Sequence, residues 1–349
     1  MYLGSANAVG LFHVAAVFID NCIEEAINGY ATSLHLRLHP DGSLTCSDNG
    51  RGIPIEPIPA LGNRPAVEVL LSHLFFGSRD GSDRKYKLHC SGMHAIRLGT
   101  VNPFAVRMQV EVRRDSGIWS VAFERGELVE PLCRIGNTAD HGTTITFHPD
   151  PQIFGHATFN AIELREALRA IASCVPGLLV RFVDERTGRS DDFSDPRGPT
   201  ALVEHLGSER PPLCETIRVC GERNGIRAVI AFRYYAIRNS QQRLYVNSRA
   251  VTRNRRILDS YMPSFHYALS AHARAHGLHV PTGANLNAGL VAVLSLWHPN
   301  PEFFDDCEYY RPVEDFEPSS LVVSTLHNEL RTFWPARPDL ARRLLSDLA

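Results

Sequence analysis

The stretch from Gly42 to Pro54, Gly-Ser-Leu-Thr-Cys-Ser-Asp-Asn-Gly-Arg-Gly-Ile-Pro, constrains this chain more than any other. Leu44 to Ser47 reads as a short strand. Asp48-Asn49-Gly50 breaks it, and Arg51-Gly52-Ile53-Pro54 leaves in a conformation that glycine makes easy. Alone, the fragment is a hairpin-turn signal, because Asp or Asn before Gly suits the positive φ of such turns. The segment ahead of it changes the reading. From about Leu11 to Tyr30, Leu11, Val14, Ala15, Phe18, Ile19, Ile23, Ala26 and Ile27 recur at helical spacing. Asn21, Glu24 and Asn28 are three or four residues apart on that helix and share a face.

A chain of 349 residues that is 44% apolar can bury two cores, which favours two domains. No apolar run is long enough to span a bilayer and no secretory signal opens the chain, so a cytoplasmic protein without a membrane partner is expected. Eight cysteines are scattered with no Cys-x-x-Cys pair, which points to reduced core thiols rather than disulfides or a zinc site. A net charge of −2 gives no general attraction to nucleic acid. One stretch departs from that balance. Arg238, Arg243, Arg249, Arg253, Arg255 and Arg256 follow one another with no acid between them. They read either as a solvated basic hairpin or as phosphate contacts to DNA.

Helix and strand signals alternate from Gly4 to Ile153, which predicts an α/β fold. Strands are expected over Met108–Val112, Trp119–Phe123, Thr143–Phe147 and Gly177–Val183, with a helix over Glu163–Cys174. Arg186 to Pro199 has the composition of a surface loop. Beyond it, strands are expected over Arg227–Ile237, Arg243–Val246 and Gly289–Trp297. Helices are expected over Tyr261–His276, Leu321–Phe333 and Asp339–Leu348.

The helix bearing Asp20-Asn21 and Glu24-Glu25, followed by a strand and Asp48-Asn49-Gly50-Arg51-Gly52, resembles the ATPase region of the type IIA topoisomerase (gyrase B) family. The wider group is the Bergerat-fold ATPases, with the histidine kinases and MutL proteins. Met1-Tyr2-Leu3-Gly4-Ser5, Arg64 to Val69, Gly142-Thr143-Thr144 and Phe147 to Asp150 are similar to that family too. The resemblance implies a Bergerat-type α/β sandwich over residues 1–207 and a smaller α/β transducer domain over 208–349. It implies ATP and Mg²⁺ as cofactors. Asp48 matches the carboxylate that accepts the adenine amine, and Gly52, Ile53 and Pro54 continue the segment against the base. Thr143 matches a threonine supporting the amine contact, and Asn21 the asparagine that holds Mg²⁺. Glu25 and Arg51 match a pair under the base. DNA, a gyrase-like subunit supplying the cleavage domains and a second copy of the chain are the implied partners. The resemblance further leads to the expectation that the acidic metal-binding (TOPRIM) and cleavage domains, and the dimerising arm before Met1, are absent from this chain.

Three positions depart from the family pattern. Val17 stands one helical turn before Asn21, where the family has a glutamate general base, and Asp20 points about 100° away. Of the glycines in the phosphate lid Gly92 remains, whereas Ala95 and Arg97 replace two others. Glu308 stands where the family has a lysine on the γ-phosphate, and an acid there repels a polyphosphate. Two readings follow: an ATP-binding topoisomerase module with hydrolysis impaired or lost, or a non-enzymatic module that works by DNA or protein contact.

Overall fold

The computed structural model describes residues 4–73, 98–236, 239–251, 256–299, 301–304, 309–311 and 317–347. Gly92, Arg97, Arg238, Arg253, Arg255 and Glu308 lie outside them. The chain forms two compact units that meet in sequence at Pro196–Arg197.

The first unit contains α1 (Ala8–Ile27), β1 (Ser33–Leu38), β2 (Leu44–Asp48), the two-residue strands β3 (Pro57–Ile58) and β4 (Arg64–Pro65), α2 (Ala66–Ser72) and α3 (Leu98–Val101). It continues with β5 (Ala105–Arg114), β6 (Gly117–Glu124), β7 (Glu127–Asn137), β8 (Gly142–Pro149), α4 (Pro151–Phe154), α5 (Ala161–Cys174), β9 (Leu179–Asp184) and β10 (Arg189–Phe193). Eight strands make one mixed sheet in the order β10-β9-β1-β2-β8-β5-β6-β7. Among these described strands only β1 and β9 run parallel.

Alternation along the strands sets which face is covered. Leu34, Leu36 and Leu38 pair with Asp48, Cys46 and Leu44, and all six are buried. The intervening His35, Arg37, Thr45 and Ser47 face outward. Asp48 therefore comes inward with the leucines, and a one-residue slip would turn it out. Helix α1 covers this face. Asn7 caps it, its side chain accepting from Val9 N at 2.9 Å. Phe18 packs on Phe147 of β8 with ring centroids 5.6 Å apart.

Two edge elements escape the sequence pattern. The Asp- and Arg-rich stretch expected to be loop contains β10. It pairs with β9, held by Arg165–Asp191 and Arg181–Asp192 contacts of 2.8 Å. Ion pairs from α5 and from β9 replace the apolar alternation that would mark a strand. At the other edge, β7 carries Glu127, Glu130, Pro131 and Arg134 and is mostly exposed, as suits an edge strand that must resist further pairing.

The second unit holds α6 (Pro199–Leu206), β11 (Ile217–Arg223), β12 (Ile226–Tyr234), β13 (Gln241–Val246), β14 (Arg249–Ala250), α7 (Arg256–Ala275) and β15 (Leu290–Trp297). The short pair β16 (Glu302–Phe304) and β17 (Tyr309–Arg311) precedes α8 (Glu317–Phe333) and α9 (Pro338–Ser346). The five-stranded sheet runs β11-β12-β15-β13-β14. Every residue of β15 is buried. It lies parallel to β13, and α7 lies between them in sequence as the crossover such pairing needs. Helix α7 begins earlier than Tyr261, with Pro263 inside it.

Phe232 packs against Phe265 of α7 and Phe333 of α8, with centroids 4.9 and 5.4 Å away, and is fully buried. Phe232→Ala should destabilise this unit by about 3–5 kcal/mol, read from the denaturant midpoint.

Candidate functional site

The site is built where β2 ends beneath α1. Asp48 is 5% exposed, on a face otherwise lined by leucine and cysteine. Its Oδ1 accepts from Gly50 N at 2.7 Å and Thr143 N at 3.4 Å, and its Oδ2 accepts from the Cys22 thiol at 3.4 Å. A carboxylate offers about four acceptor directions, so among the described residues one remains on Oδ2. Burial pushes the Asp48 carboxyl up from the usual aspartate value, and these hydrogen bonds oppose the shift.

The chain then turns away. Gly52 has φ +78°, and a Cβ there would lie 2.8 Å from Arg113 O. Gly142, at the start of β8, has φ +133°, and a Cβ would lie 2.1 Å from Asp48 O. Both positions need glycine for conformation and for close approach. Thr143 Oγ1 accepts from Ile53 N at 3.2 Å, so β8 fixes the segment after the turn.

Glu25 and Arg51 come together. Arg51 donates from Nε to Glu25 Oε2 at 2.9 Å, from Nη2 to Oε1 at 2.7 Å and from its backbone N to Oε2 at 3.0 Å. The guanidinium also lies 3.6 Å from the ring centroid of Tyr30. The pair anchors the chain leaving the turn to α1. Asn21 is half-buried on α1, one turn beyond Val17, which is 4% exposed. Asp20 is also buried, and its place on the helix differs from the Val17–Asn21 face by about 100°. Pro54 follows the buried Ile53 and is itself exposed.

Several participants were missed from sequence. Cys22 and Cys46 lie under Asp48 with sulfurs 3.5 Å apart. Cys46 precedes Asp48 by two on the same strand face, so its spacing carried a signal, whereas Cys22 lies about 100° around α1 from Asn21 and its contact with Cys46 had none. Behind the turn, His141 Nδ1 donates to Gly50 O at 2.6 Å and Arg113 Nη2 to Asp48 O at 3.3 Å. No sequence spacing reveals these, because loop and strand residues far along the chain supply them. Among the described residues no cluster of three or more His, Cys, Asp or Glu could hold a metal, and no helix is long and apolar enough to cross a membrane.

In the second unit, Arg243 is exposed on β13, Arg249 is half-buried on β14 and Arg256 opens α7. The described cysteines are free thiols. Cys133 and Cys220 are exposed rather than in a core.

The raised Asp48 carboxyl has a consequence for stability. Between the ordinary aspartate value and the raised one, the folded chain binds more protons than the unfolded chain, so this group's contribution falls as pH rises through that window. Asp48→Asn removes the titration. The melting temperature of the wild type minus that of Asp48→Asn should drop as pH rises above the ordinary aspartate value of about 4, as thermal melts across a pH series would read.

The family model for histidine kinase-, DNA gyrase B- and HSP90-like ATPases matches residues 6–153. The B-subunit of DNA gyrase from Thermus thermophilus is 34% identical over 311 residues, covering 87% of this chain and 49% of that protein. Its counterpart from Thermotoga maritima is 30% identical over 360 residues, covering 100% of this chain and 56% of that protein. This chain thus spans about half the length of the curated relatives it matches. Among solved structures, the 43K ATPase domain of Thermus thermophilus gyrase B, in complex with an aminocoumarin, has a TM-score of 0.76 at 30% identity. That match covers 99% of this chain and 90% of the other. The B-subunit of DNA gyrase from Myxococcus xanthus, at 21% identity and a TM-score of 0.78, covers 98% and 96% and shares the fold. Sequence and fold agree over nearly the whole length, and the chain belongs to the gyrase-B-like ATPases.

Proposed function

We propose that this chain is the ATP-binding and transducer module of a topoisomerase-like protein, and that it binds ATP without hydrolysing it at a useful rate. The observation that carries the proposal is the buried Asp48 carboxylate with one acceptor direction left on Oδ2. Only a group that accepts without donating suits an exocyclic amine. Gly52 supplies the close backbone approach a flat base needs, and Thr143 fixes the segment beside it. Ile53 and Pro54 continue that wall, and the Glu25–Arg51 pair holds it to α1.

The donor set fits the base and suits hydrolysis poorly. Asn21, a neutral amide half-buried on α1, would complete the shell of a Mg²⁺ held mainly by phosphates. Val17 is an alkyl group one turn away and cannot take a proton from water. Gly92 and Glu308 enter the reading from sequence alone, as a thinned phosphate lid and an acid in place of a lysine. The working assembly in this reading pairs the chain with a gyrase-like partner in the cytoplasm.

Calorimetric titration with ATP and Mg²⁺ tests the base contact. Asp48→Asn should lose about 1.5–3 kcal/mol, tenfold or more in affinity. Equal affinity in the two proteins would place the nucleotide elsewhere. For hydrolysis, the wild type should release phosphate at background, and Val17→Glu with Glu308→Lys should raise the rate. Wild-type turnover comparable to that of an intact gyrase B protein would refute the loss.

The arginine stretch supports a second role, contact with DNA phosphates through Arg249, Arg253, Arg255 and Arg256. Such binding should be sequence-independent and steeply salt-dependent. Neutralising Arg253, Arg255 and Arg256 together should weaken duplex binding and reduce the slope of log affinity against log salt by about one per lost contact. Identical titrations of wild type and triple variant would leave these side chains as a solvated face.

A further inference from the structure

Two thiols form the floor beneath Asp48, and the nucleotide reading assigns them no task. Cys22 is on α1 and Cys46 on β2, 3% and 1% exposed, with sulfurs 3.5 Å apart. A disulfide bond is about 2.05 Å long, so the sulfurs need to close by about 1.5 Å. The Cys22 thiol also donates to Asp48 Oδ2 at 3.4 Å, so any change at this sulfur reaches the carboxylate directly.

We propose that Cys22 and Cys46 are an oxidation site, forming a reversible disulfide between α1 and β2 that weakens adenine-nucleotide binding at Asp48. The proposal rests on the nucleotide reading given above. With a peroxide as oxidant the step balances. One thiol, as thiolate, attacks a peroxide oxygen. The O–O bond breaks, and the leaving hydroxide takes up the thiol proton as water. The second thiol attacks the resulting sulfenic sulfur. An S–S bond forms, the S–O bond breaks and a second water leaves, carrying the remaining thiol proton. Two electrons pass from the two sulfurs to the peroxide. A dithiol reductant reverses it by exchange.

The coupling to the nucleotide has a physical sign. The disulfide removes the S–H that donates to Oδ2. A buried carboxylate with fewer donors is held less firmly as the anion, and the anion is the form that accepts the adenine amine. The Cys46 hydrogen bond, burial and the Asp48 charge together push the Cys22 thiol well up. The pair therefore stays as thiols in ordinary conditions and reacts slowly. A base seated on Asp48 covers the floor and slows oxidation further.

The test uses the full chain with the exposed Cys133 and Cys220 replaced by serine. The reduced protein is treated with hydrogen peroxide, mapped as non-reduced peptides, and titrated with ATP before oxidation, after it and after re-reduction. The expected result is a Cys22–Cys46 linked peptide, affinity about tenfold weaker in the oxidised form, recovery on reduction, and slower cross-linking with ATP present. Cys46→Ala should make ATP affinity insensitive to peroxide. Absence of the linked peptide would overturn the oxidation site. A linked peptide with unchanged affinity would overturn the coupling. A reduced chain that binds no ATP would refute the nucleotide reading and with it the coupling, while the peptide map still decides the oxidation site.

Discussion

A carboxylate turned into the apolar face of a sheet is the constraint on which the first unit depends. Ionised carboxylates are costly to bury, and Asp48 is buried. The surrounding structure offsets that cost by aiming donors at it: Gly50 N from its own turn, Thr143 N from β8 and the Cys22 thiol from α1. Each donor comes from a different element, so the position of Asp48 depends on the sheet register, the turn and the helix together. The opposite side of the turn is fixed as well. His141 and Arg113 take the carbonyls of Gly50 and Asp48, and Gly142 leaves the space those contacts require.

This arrangement makes little sense as packing. An aliphatic residue at position 48 would continue the Leu34–Leu36–Leu38 face and bury no charge. A carboxylate held in place with an acceptor direction to spare is what a donor-bearing ligand needs, and the ligand's amine then supplies the remaining compensation. The same helix that donates through Cys22 carries Asn21 one residue earlier and the buried Val17 one turn before that. Recognition and hydrolysis are separable on α1 in the proposed reading. In the proposed reading Asp48 accepts the base, while position 17 carries an alkyl group that cannot activate water.

Much of this was legible in the sequence because it rests on local periodicity and turn chemistry. The α1 stripe, the β2 strand ending at Asp48, and the glycine at position 52 each follow from spacing within a dozen residues. The fully apolar β15 was legible for the same reason. Strands β7 and β10 were not. Their stability comes from pairing at a sheet edge and from ion pairs such as Arg181–Asp192, and their composition resembles a loop. At the site, contacts spanning long sequence separations were hidden. Thr143 to Ile53, His141 to Gly50 and Cys22 to Cys46 exist only once β2 pairs with β8 and α1 lies over both.

A nucleotide pocket that retains ATP and leaves it intact is the central claim. Equilibrium dialysis of the purified chain against radiolabelled ATP with Mg²⁺, followed by chromatography of the protein-bound label, tests it most directly. Saturable retention of label, recovered as ATP, is the expected result. Label recovered as ADP would contradict the loss of the general base at Val17, and no retained label would contradict the pocket built around Asp48.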